Sequence, residues 1–227
     1  MSQLNTDGYQ VIPTLFEPLT VDQLLHLIQA NPINAGFGIR EFLPNNPEIT
    51  EVLRNESAFC QLIRQHLSSP TCIRSIYFDK PPNANWVVGW HQDLTVNLNS
   101  KPEEEDWQNV RSIKQRIVAQ PPLVFLENMV TVRLHLDDTD DSNGALRVIP
   151  GTHQNGVIRT DSPNMTTLQE AVVVCHINRG GAMLMKPLML HASRRSKDNH
   201  SSRRVIHLEF ASGETIGSLD LQEATTF

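Results

Sequence analysis

The sequence lacks most of the features that mark secreted, membrane and disulfide-rich proteins. It has only three cysteines, Cys60, Cys72 and Cys175, and no C-x-x-C pair, which argues against a disulfide framework and a zinc-ribbon site. No apolar run approaches the roughly 18–20 residues that a membrane-spanning helix needs. The first residues, MSQLNTDGYQVIPTLF, lack the basic start and apolar stretch of a signal peptide, so we expect a cytoplasmic location.

Positive charge is also scarce. The chain has 19 Lys and Arg against 25 Asp and Glu, which gives a net charge of −6. Proteins that coat nucleic acids are usually basic, so no nucleic-acid partner is expected. The length of 227 residues and the hydrophobic content of 39% suit one compact domain, which we place at residues 1–227.

Helical patterns come first along the chain, and strand patterns follow. A short strand is predicted at 8–16, a helix at 20–30 with Thr20 and Gln23 as a capping box, and a second helix at 47–67. Seven later segments have strand patterns: 71–80, 90–98, 129–137, 144–150, 171–177, 181–186 and 203–211. This order is typical of a sandwich or barrel with helices on one outer face. The charged segment 99–128 is expected to be a lid or a binding loop.

Polar and apolar residues alternate along three of these strands, so each strand has one polar and one apolar face. The polar residues are His91, Asp93, Thr95 and Asn97; Thr131, Arg133, His135 and Asp137; and Arg203, His207 and Glu209. Two interpretations are open. The polar faces meet bulk water, or the apolar faces pack on the helices and the polar faces line a wet cavity.

The stretch WHQDL places His91 and Asp93 two residues apart on one strand face. Two such side chains converge on one point, and a ligand from a neighbouring strand would complete a triangle of two histidines and a carboxylate. This facial arrangement suits a non-haem Fe(II) oxygenase. An isolated H-x-D pair is common by chance, so the interpretation depends on its context.

Two further motifs supply that context, NGALRVIPGTH (143–153) and PLMLHASRRSKDNHSSRRVIHLEFAS (187–212). Together with WHQDL they resemble the phytanoyl-CoA dioxygenase family of Fe(II)- and 2-oxoglutarate-dependent oxygenases. The resemblance runs from DGYQVI near the start to RRV in the last predicted strand. It implies a mainly β fold, a double-stranded β-helix (jelly-roll barrel) with the N-terminal helices packed on the larger sheet.

The resemblance also implies the metal ligands and the reaction. His91, Asp93 and His191 would bind Fe(II), and the enzyme would oxidise a small organic substrate with O2 while 2-oxoglutarate becomes succinate and CO2. Halogenating relatives replace the carboxylate ligand with a small residue. Because Asp93 is present here, hydroxylation or a related oxidation is expected.

For the cosubstrate, the resemblance implies an arginine paired with the distal carboxylate of 2-oxoglutarate. Arg203 and Arg204 are the candidates, and both the motif alignment and strand parity favour Arg203. The interval from His191 is one residue longer than in the family, so the choice stays open. Ser193 and Lys80 would be further cosubstrate contacts.

The substrate itself is not predicted, and neither is the oligomeric state. By parity, Thr131, Arg133, His135 and His207 are candidates for lining the substrate cavity. No strongly basic pocket for coenzyme A phosphates is evident, so an acyl-CoA substrate is not favoured. Two rival functions remain: a cupin-like metal enzyme that does not use 2-oxoglutarate, and a non-catalytic binding module on the same barrel.

Overall fold

The computed structural model describes residues 2–81, 86–113, 116–161, 165–197, 202–213, 215–216 and 219–227. Its helices are α1 Gln3–Asp7, α2 Pro18–Ala30, α3 Pro47–Asn55, α4 Ser57–Arg64, α5 Leu123–Asn128 and α6 Met165–Leu168. Its strands are β1 Tyr9–Ile12, β2 Gly38–Arg40, β3 Pro70–Lys80, β4 Val88–His91, β5 Val96–Leu98, β6 Gln108–Ile113, β7 Arg116–Gln120, β8 Val130–His135, β9 Leu146–Val148, β10 Val173–Val174, β11 Ala182–Met185, β12 His191–Ser193, β13 Arg203–Ser212, β14 Thr215–Ile216, β15 Leu219–Asp220 and β16 Thr225–Thr226. Within the described ranges, no helix is both long and apolar enough to cross a membrane.

Antiparallel strands form a major and a minor sheet, and residues of both line one cavity. The major sheet has the order β1-β11-β8-β13-β3-β16, and β2 also pairs with β3. The minor sheet has the order β10-β9-β12-β4. A separate three-stranded sheet, β5-β7-β6, also contributes to the cavity. The arrangement confirms the predicted double-stranded β-helix.

The N-terminal helices cover the outer face of the major sheet. The core between them consists of buried apolar side chains from both layers, including Val21, Leu24, Ile28, Leu53, Phe59, Ile63, Val132, Leu134, Ile206, Leu208 and Phe210. Each large apolar side chain that is fully buried contributes roughly 1.5–3 kcal/mol to stability. The packing of the helices is therefore a main source of the sheet's rigidity.

This packing decides between the two interpretations of the alternating strands. The apolar residues of β8 and β13 belong to the core under the helices, whereas Arg133, His207 and Glu209 line the cavity. The polar faces of these two strands point inward, as the second interpretation requires.

Two predicted helix features are wrong in detail. The helix predicted at 20–30 begins at Pro18, because proline at the first position has a helical φ and needs no hydrogen-bond acceptor for its nitrogen. Thr20 therefore lies inside the helix, and its hydroxyl donates to Glu56 Oε1 at 2.7 Å instead of capping. The helix predicted at 47–67 is divided into α3 and α4 at Glu56, whose backbone is extended.

Two predictions around the H-x-D motif also need correction. The strand predicted at 90–98 is interrupted, and residues 92–95 belong to neither β4 nor β5. As a result Leu94 lines the cavity beside Asp93 and Thr95 instead of facing away from them. The segment 99–128 is not a plain loop, because it contains β6, β7 and α5.

The C-terminal segment is fixed to the major sheet by a buried carboxylate. Glu223 is only 3% exposed, and its Oε2 accepts hydrogen bonds from the Ser75 amide at 2.9 Å and the Ser75 hydroxyl at 2.6 Å. The same hydroxyl accepts from the Leu43 amide at 2.9 Å. Burial raises the pKa of Glu223 to about 7, although both Ser75 hydrogen bonds oppose that change.

The raised pKa predicts a pH-dependent stability. The folded state holds a proton on Glu223 that the unfolded chain releases near pH 4.5, so this contribution is present below pH 4.5 and is lost as the pH rises through 7. The loss should be on the order of 3 kcal/mol. In Glu223→Gln, whose amide oxygen can still accept from Ser75, urea unfolding between pH 4.5 and 8 should show a flatter dependence. The exposed control Glu170→Gln should behave like the parent, and an unchanged slope in Glu223→Gln would refute the assignment.

Candidate active site

The three predicted metal ligands meet where β4 and β12 pair. His91 ends β4, His191 begins β12, and the two residues are direct partners in the antiparallel register. Asp93 follows His91, and its amide donates to Pro187 O at 2.9 Å, which holds the carboxylate beside the start of β12. The two imidazole ring centroids lie 4.1 Å apart.

The donor atoms converge on one point. Asp93 Oδ1 lies 3.7 Å from His91 Nε2, and Asp93 Oδ2 lies 3.5 Å from His191 Nε2. The ligand atoms of all three residues lie within 4.8 Å of one another. Asp93 Oδ2 is buried and has no hydrogen-bond partner among the described residues, although a buried carboxylate oxygen normally has one. A cation between these atoms would satisfy it.

Backbone carbonyls fix the orientation of both histidine rings. His91 Nδ1 lies 2.8 Å from Gly89 O, and His191 Nδ1 lies 2.9 Å from Met189 O. Because a carbonyl only accepts hydrogen bonds, each Nδ1 carries the proton and each Nε2 presents its lone pair to Asp93. In both histidines, Nε2 is therefore the ring nitrogen that is free to bind a metal.

The electrostatic environment favours the protonation states that a metal would require of the three residues. Burial lowers the pKa of His191, which favours the neutral ring. Burial also acts to raise the pKa of Asp93, but His191, His207, His91 and Arg74 together outweigh it and lower the pKa. Metal ligands must be a neutral imidazole and an ionised carboxylate, so the triad is ready for a divalent cation.

A second cluster of potential ligand atoms, Asp93, His207 and Glu209, is less suited to a metal. Arg133 Nη1 lies 2.9 Å from His207 Nδ1, and a guanidinium can only donate, so His207 carries its proton on Nε2. That proton points to Glu209 Oε1 at 3.3 Å, and Glu209 also pairs with Arg74 at 3.0 Å. These atoms therefore already have partners.

Gln92 positions the H-x-D segment, a role that no pattern in the sequence indicates. Its amide group donates to Gly156 O at 2.8 Å and to Leu188 O, and its oxygen accepts from the Ile158 amide at 2.8 Å. These bonds interrupt the predicted strand at the H-x-D motif and tie it to the segment before His191. Only a buried amide with both donor and acceptor capacity can do this, but the sequence does not show that Gln92 is buried.

The two arginine candidates have different surroundings. Arg203 is buried, lines the cavity and donates to Gly144 O, while its Nε has no partner among the described residues. Arg204 points away and forms a two-point ion pair with Asp137, at 2.6 and 2.8 Å. Burial, followed by repulsion from Arg133, lowers the pKa of Arg203 to about 9, so the guanidinium stays charged at neutral pH. Of the two candidates, Arg203 is therefore the one available to an anion in the cavity.

The other two predicted cosubstrate contacts differ in placement. Ser193 lies in the cavity lining on β12. Lys80 is buried outside that lining, and its ammonium donates to Trp86 O and to Arg194 O, both at 2.8 Å. Burial, then the charges of Arg203 and Arg195, lowers the pKa of Lys80 to about 8. The structure thus brings Ser193, but not Lys80, to the cavity.

Two of the four predicted substrate-lining residues line the cavity. Arg133 and His207 do, whereas Thr131 and His135 are buried outside its lining. His135 Nδ1 lies 2.7 Å from Thr139 Oγ1, and burial keeps the pKa of His135 well below its usual value. Thr131 and His135 lie on the polar face of β8, as strand parity predicts. Parity does not show how far along the barrel axis a residue lies, and these two lie beyond the cavity lining.

The cavity has a volume of about 530 Å³ and is more basic than expected from the sequence. Arg40, Arg74, Arg111 and Arg116 line it in addition to Arg133 and Arg203. These four arginines come from β2, β3, β6 and β7 and form no continuous basic segment, so no sequence pattern reveals them. The expectation that the pocket would not be strongly basic is therefore wrong.

Comparisons with known proteins agree with this fold. EctD from S. alaskensis, in its structure with bound Fe, aligns with a TM-score of 0.70 at 16% identity over 92% of this chain and 74% of that one. HygX from Streptomyces hygroscopicus, with nickel and 2-oxoglutarate bound, aligns with a TM-score of 0.64 at 13% identity over 99% of this chain and 93% of that one. The non-heme monooxygenase ThoJ aligns with a TM-score of 0.68 at 14% identity over 99% and 81%. None of the curated proteins compared with the chain matches it in sequence.

The family assignment comes from the sequence profile of phytanoyl-CoA dioxygenase (PhyH), which matches residues 4–205. This range includes the H-x-D motif, His191 and Arg203, and it covers most of the chain. The protein therefore belongs to the phytanoyl-CoA dioxygenase family, whose members use Fe(II) and 2-oxoglutarate.

Proposed function

We propose that the protein is an Fe(II)- and 2-oxoglutarate-dependent oxygenase that hydroxylates a small organic substrate with O2, releasing succinate and CO2. The observation that carries the proposal is the convergence of His91 Nε2, His191 Nε2 and an Asp93 oxygen within 4.8 Å, in the cavity that also contains Arg203. Two imidazoles and one carboxylate on one face of a metal are the ligand set of non-haem Fe(II) oxygenases.

The residues of the chain have distinct roles in this proposal. When bound, Fe(II) would supply the site for activating O2 at the expense of 2-oxoglutarate. His91, Asp93 and His191 hold the metal, and the carbonyls of Gly89 and Met189 keep both rings oriented toward it. Arg203 would hold the distal carboxylate of the cosubstrate, with Ser193 as an additional donor.

Further support comes from the structural relatives and from the charges in the cavity. EctD and HygX, with the same fold, have structures with Fe and with nickel and 2-oxoglutarate, respectively. Arg203 and Arg133 are both buried, and neither forms an ion pair with a described carboxylate. A buried cation is costly without an anion, and a dicarboxylate cosubstrate provides one.

The two rival functions make different demands on the same residues. A cupin-like enzyme that does not use 2-oxoglutarate has no need of Arg203 as an anion anchor. A binding module on this barrel would release no succinate. The presence of Asp93 also favours hydroxylation over halogenation. A halide would have to bind the metal at the position that the Asp93 carboxylate would occupy.

Removal of a ligand should abolish metal binding. Anaerobic addition of Fe(II) and 2-oxoglutarate should produce a weak visible charge-transfer band, and His191→Ala or Asp93→Ala should eliminate it. We expect Fe(II) affinity to fall by at least about 100-fold, because even residues behind the ligands contribute about 10- to 100-fold. His176→Ala is the control, since His176 is exposed and its ion-pair partner among the described residues is Asp141, outside the cavity lining. A band that persists in both ligand variants would place the metal elsewhere.

Cosubstrate binding should depend on Arg203 and not on Arg204. Arg203→Gln should raise the KM for 2-oxoglutarate by about 30-fold or more, because removal of one partner of a buried ion pair costs about 2–5 kcal/mol. Arg204→Gln removes the ion pair with Asp137 and should lower only the thermal stability. Initial rates of succinate formation measure both variants. If Arg204→Gln alone raises the KM, Arg203 is not the anchor.

A further inference from the structure

Three arginines at one part of the cavity have no acidic partner. Arg40, Arg111 and Arg116 all line the cavity, and within the described residues none of them donates a side-chain hydrogen bond or forms an ion pair. Of the other lining arginines, Arg74 interacts with Glu209 and Arg133 with His207, and Arg203 is the proposed cosubstrate anchor. The unpaired guanidinium groups are therefore available to a ligand.

The strand geometry brings the three arginines together. In the β6–β7 hairpin, Ile113 is the direct partner of Arg116, and Arg111 is the partner of Val118. Directly paired residues share a sheet face, and so do residues two apart, so both arginines are on the cavity side with these two apolar residues. Arg40 ends β2 as the partner of Ile76, which also lines the cavity.

Arg40 lies close to both Arg74 and Arg116. Partial desolvation lowers the pKa of Arg40, repulsion from Arg74 and then Arg116 adds to this effect, and the more weakly acting charges of Glu209 and Glu223 oppose it. Arg74 is bound to Glu209, six residues beyond Arg203 on β13. At about 3.3 Å per residue, Arg203 and Glu209 are about 20 Å apart along the strand. Arg40 and the neighbouring Arg116 therefore lie away from the proposed cosubstrate anchor, on the part of the cavity lining near Arg74.

The metal and its cosubstrate would not neutralise this charge. Among the described residues that line the cavity, six arginines exceed the two carboxylates, Asp93 and Glu209, by four charges. A divalent cation and dianionic 2-oxoglutarate cancel each other. The excess is specific to the cavity, because the whole chain has a net charge of −6. A cavity lined with one sign of charge concentrates ligands of the opposite sign.

We propose that Arg40, Arg111 and Arg116 form an oxyanion subsite, and that the substrate is a small organic acid with a carboxylate or phosphate group held there. This inference rests on the proposed function, since the acid group would orient the rest of the substrate toward His91, Asp93 and His191. Ile113 and Val118 provide apolar contact between the arginines. Planar guanidinium groups suit both oxyanions because each can donate two parallel hydrogen bonds.

The test is calorimetric titration of the whole protein with benzoate, inorganic phosphate and uncharged benzamide, under anaerobic conditions, with and without saturating Fe(II) and 2-oxoglutarate. At least one oxyanion should bind about tenfold or more tighter than benzamide, and its affinity should fall as NaCl is raised. Preference for benzoate or for phosphate identifies the acid group. Equal affinity for benzamide, or no oxyanion binding, overturns the proposal.

Variants locate the bound anion. Arg40→Gln, Arg111→Gln and Arg116→Gln should each weaken oxyanion binding by about tenfold, because a hydrogen bond to a charged group contributes that much. Arg116→Lys should lie between the parent and Arg116→Gln. Arg64→Gln, an exposed residue on α4, is the matched control and should have no effect. Arg40 and Arg111 are exposed, so both variants should fold, and thermal unfolding checks this.

The outcomes separate the subsite from the proposed function. Oxyanion binding that depends on Arg203 alone would show that the anion occupies the cosubstrate anchor, which overturns the subsite and leaves the oxygenase intact. Binding that depends on Arg40, Arg111 and Arg116 in a protein that takes up neither Fe(II) nor 2-oxoglutarate would support the subsite and reject the oxygenase.

Discussion

The direct pairing of His91 with His191 across β4 and β12 is the contact on which the active site depends. It brings two residues 100 positions apart to a ring separation of 4.1 Å. The rings alone would be free to rotate, but the carbonyls of Gly89 and Met189 direct both Nε2 atoms to the same point. Gln92 then bends the chain so that Asp93 reaches that point as well. The proposed metal site is thus a product of strand register and of a short irregular segment.

Burial of many charges within the barrel is the second constraint. The cavity contains polar faces of β3, β8 and β13, and their charged groups interact in the chain Arg133–His207–Glu209–Arg74. These contacts give Glu209 and His207 partners and leave Asp93 Oδ2 without one. The same arrangement leaves Arg203, Arg40, Arg111 and Arg116 without an ion-pair partner among the residues that the structure describes. The charged groups that already have protein partners have a structural role, and those without partners are the proposed binding groups.

The sequence predicted the parts of this arrangement that depend on periodicity and on motifs. Alternation in β8 and β13 gave the inward faces of Arg133 and His207, and the motifs around His91 and His191 gave the family. What failed depends on tertiary contacts. The break at residues 92–95 arises from hydrogen bonds of Gln92 to distant backbone groups, and the division of the second helix places Glu56 against Thr20. The basic cavity could not be found because its arginines are dispersed over separate strands.

The most direct test of the account is a crystal structure of the protein loaded anaerobically with Fe(II) and 2-oxoglutarate. The account predicts an ion bonded to Nε2 of His91, Nε2 of His191 and an oxygen of Asp93, with the far carboxylate of the cosubstrate on Arg203. An ion held by Asp93, His207 and Glu209, or a cosubstrate away from Arg203, would contradict it.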